Sequence, residues 1–171
     1  MKGEAEGYSP VHEVLIPHTH ALPHEGKQIP IFHQVPDSAT AESPVPCVII
    51  ITGLDGYRTE LAVWAEGWRR LGVAFVCIEM PGTGDSPADA KDPLSPDRLY
   101  TSMLDWLEKQ EKIDNKKLCV WAFSTGGYYA IRLAHTHPDR FAGLVALGGG
   151  CHYMFDPRWL NEVNHLEYPF E

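Results

Sequence analysis

The chain of 171 residues is poor in positive charge, with 14 Lys and Arg against 23 Asp and Glu and a formal net charge of -9. Its basic residues are scattered, whereas a binder of phosphate backbones needs them clustered, so no nucleic-acid partner is expected. Long apolar runs are missing too. The longest, VPCVIIITGL, is far below the roughly 20 residues that span a bilayer, and no membrane partner is expected. The opening MKGEAEGYSPVHEV lacks the apolar core of a secretory signal, which points to a cytoplasmic setting. Cysteine is sparse and unpaired in sequence: Cys47, Cys77, Cys119 and Cys151 stand far apart with no C-x-x-C. Three of them lie in apolar runs, where cysteine behaves as a small buried hydrophobe, so neither a disulfide framework nor a metal site is expected.

What is present suits a single globular domain: 44% hydrophobic and 22% charged residues over 1–171. Residues 1–28 read as an irregular segment rich in Pro, Gly and His, with VLIP at 14–17 as an edge strand. His12, His18, His20 and His24 gather there, but HTHALPH itself holds no acidic or cysteine residue. A solvated loop is the simpler reading than zinc. IPIFHQV at 29–35 reads as a second strand.

From residue 46 the pattern becomes regular. PCVIIITG is a continuous β-branched run, as in a strand buried on both faces of a parallel sheet. TELAVWAEGWRRLG follows with Leu61, Val63, Trp64 and Trp68 near helical spacing, Thr59 as N-cap and Gly72 as the stop. VAFVCIEM at 73–80 is the next strand, and PGTGDSP a turn-rich loop. SPDRLYTSMLDWLEKQEK reads as a helix with Ser95 as N-cap, Pro96 at its first position, and Leu99, Met103, Trp106 and Leu107 along one face. KLCVWAF is a strand, GGYYAIRLAHTH a helix ended by Pro138, and FAGLVALGG a strand. Strands alternating with helices in this order predict an α/β domain whose mostly parallel sheet has helices on both faces.

The chemistry concentrates at Ser124. It follows a buried strand and precedes a helix opening with two glycines, and Ala122-Phe123-Ser124-Thr125-Gly126 matches G-x-S-x-G with alanine in the first small position. On such a strand–turn–helix unit a serine is pushed out at the carboxyl edge of the sheet, and the helix start aims N–H groups at an oxyanion. The loop TGLDGYRTE, after the central strand, supplies the complement: Gly53 and Gly56 permit a close turn presenting the Leu54 N–H. Asp55 lies beside the pocket in this reading, while Glu60 reads as part of a helix start. PGTGDS could suggest a phosphate loop, but it lacks the GK[ST] ending.

IITGLDGYRTE, VCIEMPGTGDSP and WAFSTGGYYAIRLAHTHPDRFAGLVALGGG together resemble the α/β-hydrolase superfamily. The chain most resembles the branch of FrsA-like esterases, pseudooxynicotine-type C–C hydrolases and fungal hydrolases that shorten polyketides for pigments, over residues 11–165. The resemblance implies an α/β-hydrolase fold and a cofactor-free serine hydrolase acting on an ester, or on a C–C bond next to a ketone. It makes Ser124 the nucleophile and the N–H groups of Leu54 and Thr125 the oxyanion hole. Family members continue through a helical cap and two further strands that carry the triad acid and histidine. This chain is short after Ser124, so it reads as a partial domain lacking those strands and most of the cap, with 151–171 as the cap's start.

Among the later histidines, His135 and His137 fall about 16–20 Å from the serine along the elbow helix, too far to act as its base. His165 sits at the start of the cap region. His152, after the glycine run 148–150, shares the carboxyl edge of the sheet with Ser124. It lines the substrate pocket, or acts as substitute base with Asp156 orienting it. The competing reading is a catalytically inactive relative that binds a ligand or partner. Either way an exposed sheet edge is expected to drive homo-oligomerisation.

Overall fold

The computed structural model describes residues 11–151 and 156–163. Its organising feature is the apolar run at the start of the regular region, which becomes β3 (Val45–Ile51), with Cys47 to Ile51 all buried. A strand so continuously apolar can only sit between two layers. Around it lie β1 (His12–Pro17), β2 (Gln28–Gln34), β4 (Ala74–Ile78), β5 (Ile113–Phe123) and β6 (Gly143–Leu147), in the spatial order β1-β2-β4-β3-β5-β6. β3 pairs in parallel with β4 and β5, and β5 with β6, whereas β2 runs antiparallel to both β1 and β4. The sheet is therefore mixed but mostly parallel.

Helix α1 (Arg58–Arg70) covers one face, where Leu61 and Ala65 meet Val48, Ile50, Phe75 and Cys77. Helices α2 (Ser95–Leu107) and α3 (Thr125–Thr136) belong to the opposite layer, where Leu99, Met103, Ala130 and Leu133 join Ile49, Ile51, Val76 and Val120. A turn of 3₁₀ helix, Pro138–Arg140, follows α3, and α4 (Pro157–Val163) closes the described chain. Among the described residues no helix is long and apolar enough to cross a membrane.

Several boundaries differ from the sequence reading. β1 starts at His12, so two more residues pair than the apolar piece suggested. β5 reaches back through the polar Asp114-Asn115-Lys116-Lys117 to Ile113, which pairs with Val45 across a register irregularity. Neither helix cap falls where expected. Tyr57 caps α1, leaving Thr59 inside it, and Leu94 caps α2, leaving Ser95 as a helical residue. Val63 and Trp64 do not join the core, being 66% and 56% exposed. Gly72 does end its helix, with φ at +80°.

The two sheet edges differ in character. β1 carries His12, Glu13 and Pro17, the charges and proline that blunt an edge. β6 carries only Gly, Leu, Val and Ala, and leaves Val145 and Leu147 about half exposed beside Trp121 and Phe123.

Candidate active site

The turn between β5 and α3 holds Ser124 at φ 51°, ψ -127°, the only non-glycine with positive φ among the described residues. Such a conformation costs of order 1–3 kcal/mol in an L-residue and persists only where the surroundings impose it. They do so from both sides. The Ser124 N–H donates to Leu147 O at 2.7 Å, extending the β5–β6 ladder into the turn, and the Gly127 N–H donates to Ser124 O at 2.8 Å.

Three close approaches explain the small residues. A Cβ on Gly126 would stand 2.3 Å from Thr52 O and 2.8 Å from Ile51 O, so the start of α3 rests on the end of β3. A Cβ on Gly127 would meet Gly149 Cα at 2.6 Å, and one on Gly149 would meet Gly127 backbone at the same distance. A Cβ on Gly53 would lie 3.0 Å from Ser124 Cβ, 3.5 Å from its Oγ and 3.6 Å from Asp55 Oδ1. Ser124 and Asp55 thus flank one small space beside Gly53. Gly56 is required by Thr52, whose Oγ1 would clash with a Cβ there. Gly53 and Gly56 serve here through close approach, since neither has positive φ.

Leu54 and Asp55 form the exposed tip of this loop, with Leu54 69% exposed, while Thr125 is buried at the first turn of α3. The first N–H groups of a helix have no intrahelical acceptor, and the helix dipole is positive there, so the end of α3 at Ser124 suits a developing negative charge. Among the described residues no side chain hydrogen-bonds the Ser124 hydroxyl. His137 ends α3 and bonds Thr101 Oγ1 at 2.9 Å, with its imidazole held below its ordinary pKa by burial. His152 and His165 lie outside the described residues. Asp156 Oδ1 accepts the N–H groups of Arg158 and Trp159 at 2.8 and 3.1 Å and so caps α4.

The histidines of the N-terminal segment find partners that the local sequence does not show. His18 bonds Gly26 O, His20 meets Asp105 of α2 at 2.8 Å, and His24 approaches Asp89 at 3.3 Å. His20 thereby docks the loop after β1 onto α2, His24 meets the loop before α2, and His18 closes the segment on itself.

The sequence reading missed a buried charge cluster beside the site. Glu79, at the end of β4, is 2% exposed, and Arg58, the first residue of α1, is 6% exposed. Glu79 Oε1 accepts the Arg58 backbone N–H at 3.2 Å, and Oε2 accepts Arg58 Nη1 and the Asp85 N–H, each at 2.8 Å. Arg58 Nη2 donates to Asp85 at 2.9 Å and also to Glu13 of β1. The available signal was a lone Glu ending an apolar strand, VAFVCIEM, which a fold can bury only with a cationic partner.

A strained serine on a strand–turn–helix at the carboxyl edge of a mostly parallel sheet, seated between glycines, defines the α/β-hydrolase fold class. A family model described as "Esterase FrsA-like" matches residues 14–166, and the chain belongs to this FrsA-like esterase family. Esterase FrsA of Serratia proteamaculans is 29% identical over 132 residues, covering 75% of this chain and 31% of the relative. The alpha/beta hydrolase pydG of an Acremonium species is 32% identical over 128 residues, covering 68% of this chain and 30% of the relative. The crystal structure of 2,6-dihydroxy-pseudo-oxynicotine hydrolase superposes with a TM-score of 0.65 at 22% identity, over 93% of this chain and 43% of that one. The chain thus spans less than a third of the length of the two curated relatives.

Proposed function

We propose that the chain carries the nucleophile half of a serine hydrolase site that cleaves an ester, or a C–C bond next to a ketone, in a small or polyketide-like substrate. Ser124 Oγ attacks the carbonyl carbon, the carbonyl π pair moves to oxygen, and the N–H groups of Leu54 and Thr125 receive the oxyanion. Collapse of the tetrahedral intermediate breaks the C–O or C–C bond, the leaving alkoxide or carbanion takes up the proton removed from Ser124, and water then hydrolyses the acyl-serine. Asp55 and His152 line the substrate side. The triad acid and the histidine that takes the serine proton are assigned outside residues 1–171, in the length by which the relatives exceed this chain, with 151–171 beginning the cap. No cofactor enters these steps.

The observation that carries the reading is the Ser124 backbone, held at φ 51° with Gly53 tight against its side chain. Strain of this kind at a surface turn is retained where it aims a reacting side chain. The test is labelling of the chain with a fluorophosphonate, read by intact mass, with Ser124→Ala as control. One covalent adduct, lost in the variant, is expected if the serine is activated. Absence of labelling in folded protein would mean that the catalytic apparatus within residues 1–171 is incomplete, with Ser124 not activated by this chain alone.

The uncharged β6 edge supports a second statement, that the chain self-associates through it. Val145→Lys should then shift the mass measured by light scattering towards the monomer. A wild-type chain that stays monomeric at high concentration refutes this.

A further inference from the structure

The loop Gly53–Tyr57 presents a difficulty that its own residues do not solve. Leu54, Asp55 and Tyr57 are exposed, so the tip has little packing to fix it. An oxyanion donor must nevertheless stand within a few tenths of an ångström of its acceptor position to lower a barrier. The loop is held at its two ends, with Gly56 pressed on Thr52 between them. At one end Thr52 and Gly53 are pressed between Gly126 and Ser124. At the other, Arg58 enters α1, and what holds it is Glu79.

We propose that the Glu79–Arg58 pair is a positioning device for the Ser124 site, setting the path of the Leu54 loop; the inference rests on the reading of Ser124 as nucleophile. The geometry is specific. One carboxylate receives a backbone N–H of the α1 start, a guanidinium N–H of the same residue and the backbone N–H of Asp85. It therefore fixes two loops at the carboxyl edge of the sheet at once, the one before α1 and the one after β4. The fit leaves no slack: Gly84, at φ +47°, passes so close that a Cβ would overlap the Glu79 carboxyl. The guanidinium also lies 5.3 Å over the Phe32 ring and reaches Glu13, so the device is braced on β1 and β2 as well. Neither Glu79 nor Arg58 touches the reacting atoms, and each acts through the loop.

The test compares Glu79→Gln with Glu66→Gln. Glu66 is an equally buried carboxylate, 2% exposed, paired with Arg69 and Arg70 within α1, and it serves as control for merely losing a buried ion pair. Hydrogen exchange of the 53–60 peptide should rise in Glu79→Gln and stay at the wild-type level in Glu66→Gln. Fluorophosphonate labelling should slow about 10- to 100-fold in Glu79→Gln, in the limiting rate rather than in the half-saturating probe concentration, because an oxyanion donor lost outright costs about 100- to 1000-fold. Glu79→Asp should recover part of that rate. Arg58→Lys, which keeps charge but loses the fork, stands in if Glu79→Gln does not fold. Equal exchange of the 53–60 peptide in the Glu79 and Glu66 variants overturns the proposal, whether or not the wild type labels. Absence of wild-type labelling with a selective rise in exchange supports the positioning role and shows only that Ser124 is not activated by residues 1–171 alone.

Discussion

Replacing Gly126 by alanine should destabilise the domain, although Gly126 lies in a helix where alanine is ordinarily favoured. Helix propensity alone gives alanine an advantage of about 0.8–1 kcal/mol. Against it stands a methyl 2.3 Å from Thr52 O and 2.8 Å from Ile51 O. Unstrained carbon–oxygen contacts begin near about 3.3 Å, so α3 or the end of β3 must give way by about 1 Å. Both partners are backbone at the buried end of β3, where Ile51 and Thr52 are 0% and 3% exposed, so no side chain can swing aside. Overpacking of this sort costs typically 1–3 kcal/mol, and with rigid backbone on both sides the upper part applies, giving a net loss of about 2 kcal/mol. Gly67 is the internal control, since it lies within α1 with nothing within 4 Å of its would-be Cβ. Gly67→Ala should gain about 0.5–1 kcal/mol. Urea unfolding at constant m-value measures both, and in Tm the first amounts to a fall of roughly 4–8 °C for a domain of this size. If the two alanine variants move stability in the same direction, the close packing of α3 on β3 is wrong.

At Ser124, glycine should be more stable than alanine by about 1 kcal/mol, because only glycine accepts φ 51° without cost; equal melting temperatures of the two variants would remove the claim of strain. Glu25, buried against Arg98 at 2.8 Å, has its carboxyl lowered to about 2, first by the Arg98 hydrogen bonds and also by the N–H groups of Leu22 and Asp89. A depressed folded pKa contributes stability that is present above the unfolded value and lost as pH falls. The wild type should therefore lose stability between about pH 4.5 and 2, and Glu25→Gln should flatten that part of the profile. A Gln variant with an unchanged acid limb would contradict it.

The parts of the fold that local pattern dictates were readable in the chain. The run through Ile49, Ile50 and Ile51 required burial on both faces, and Ser124 between a strand and Gly126-Gly127 required a tight turn. What stayed hidden was set by partners distant in sequence. Thr59 is a sound N-cap by type, yet α1 begins two residues earlier, capped at Tyr57, because Glu79 at the end of another strand accepts the Arg58 N–H. β5 continues through a polar stretch with no strand signature because Val45 pairs with Ile113. Trp64, at a helical core spacing, stays half exposed because it packs on Trp121 and Phe123 towards the bare β6 side of the sheet. The end of FAGLVALGG read as strand, whereas Gly148 and Gly149 lie beyond β6 and Gly149 meets Gly127 back to back.

These features form one economy of strain. Holding Ser124 in its conformation costs about 1–3 kcal/mol, comparable to the roughly 1.5–3 kcal/mol gained by burying a single large aliphatic side chain. β3 alone buries Ile49, Ile50 and Ile51 completely, and their strand abuts the elbow directly. The strain is therefore affordable where it sits, at the end of β5 and against the buried end of β3. The same logic explains why the charged clamp lies at the neighbouring strand. The exposed Leu54 loop buries little apolar surface, so its geometry must come largely from directional bonds, and a carboxylate with three N–H donors supplies them. Apolar packing fixes the serine and hydrogen bonds fix the loop facing it, and a site built from both should lose loop order before it loses the elbow as conditions become destabilising.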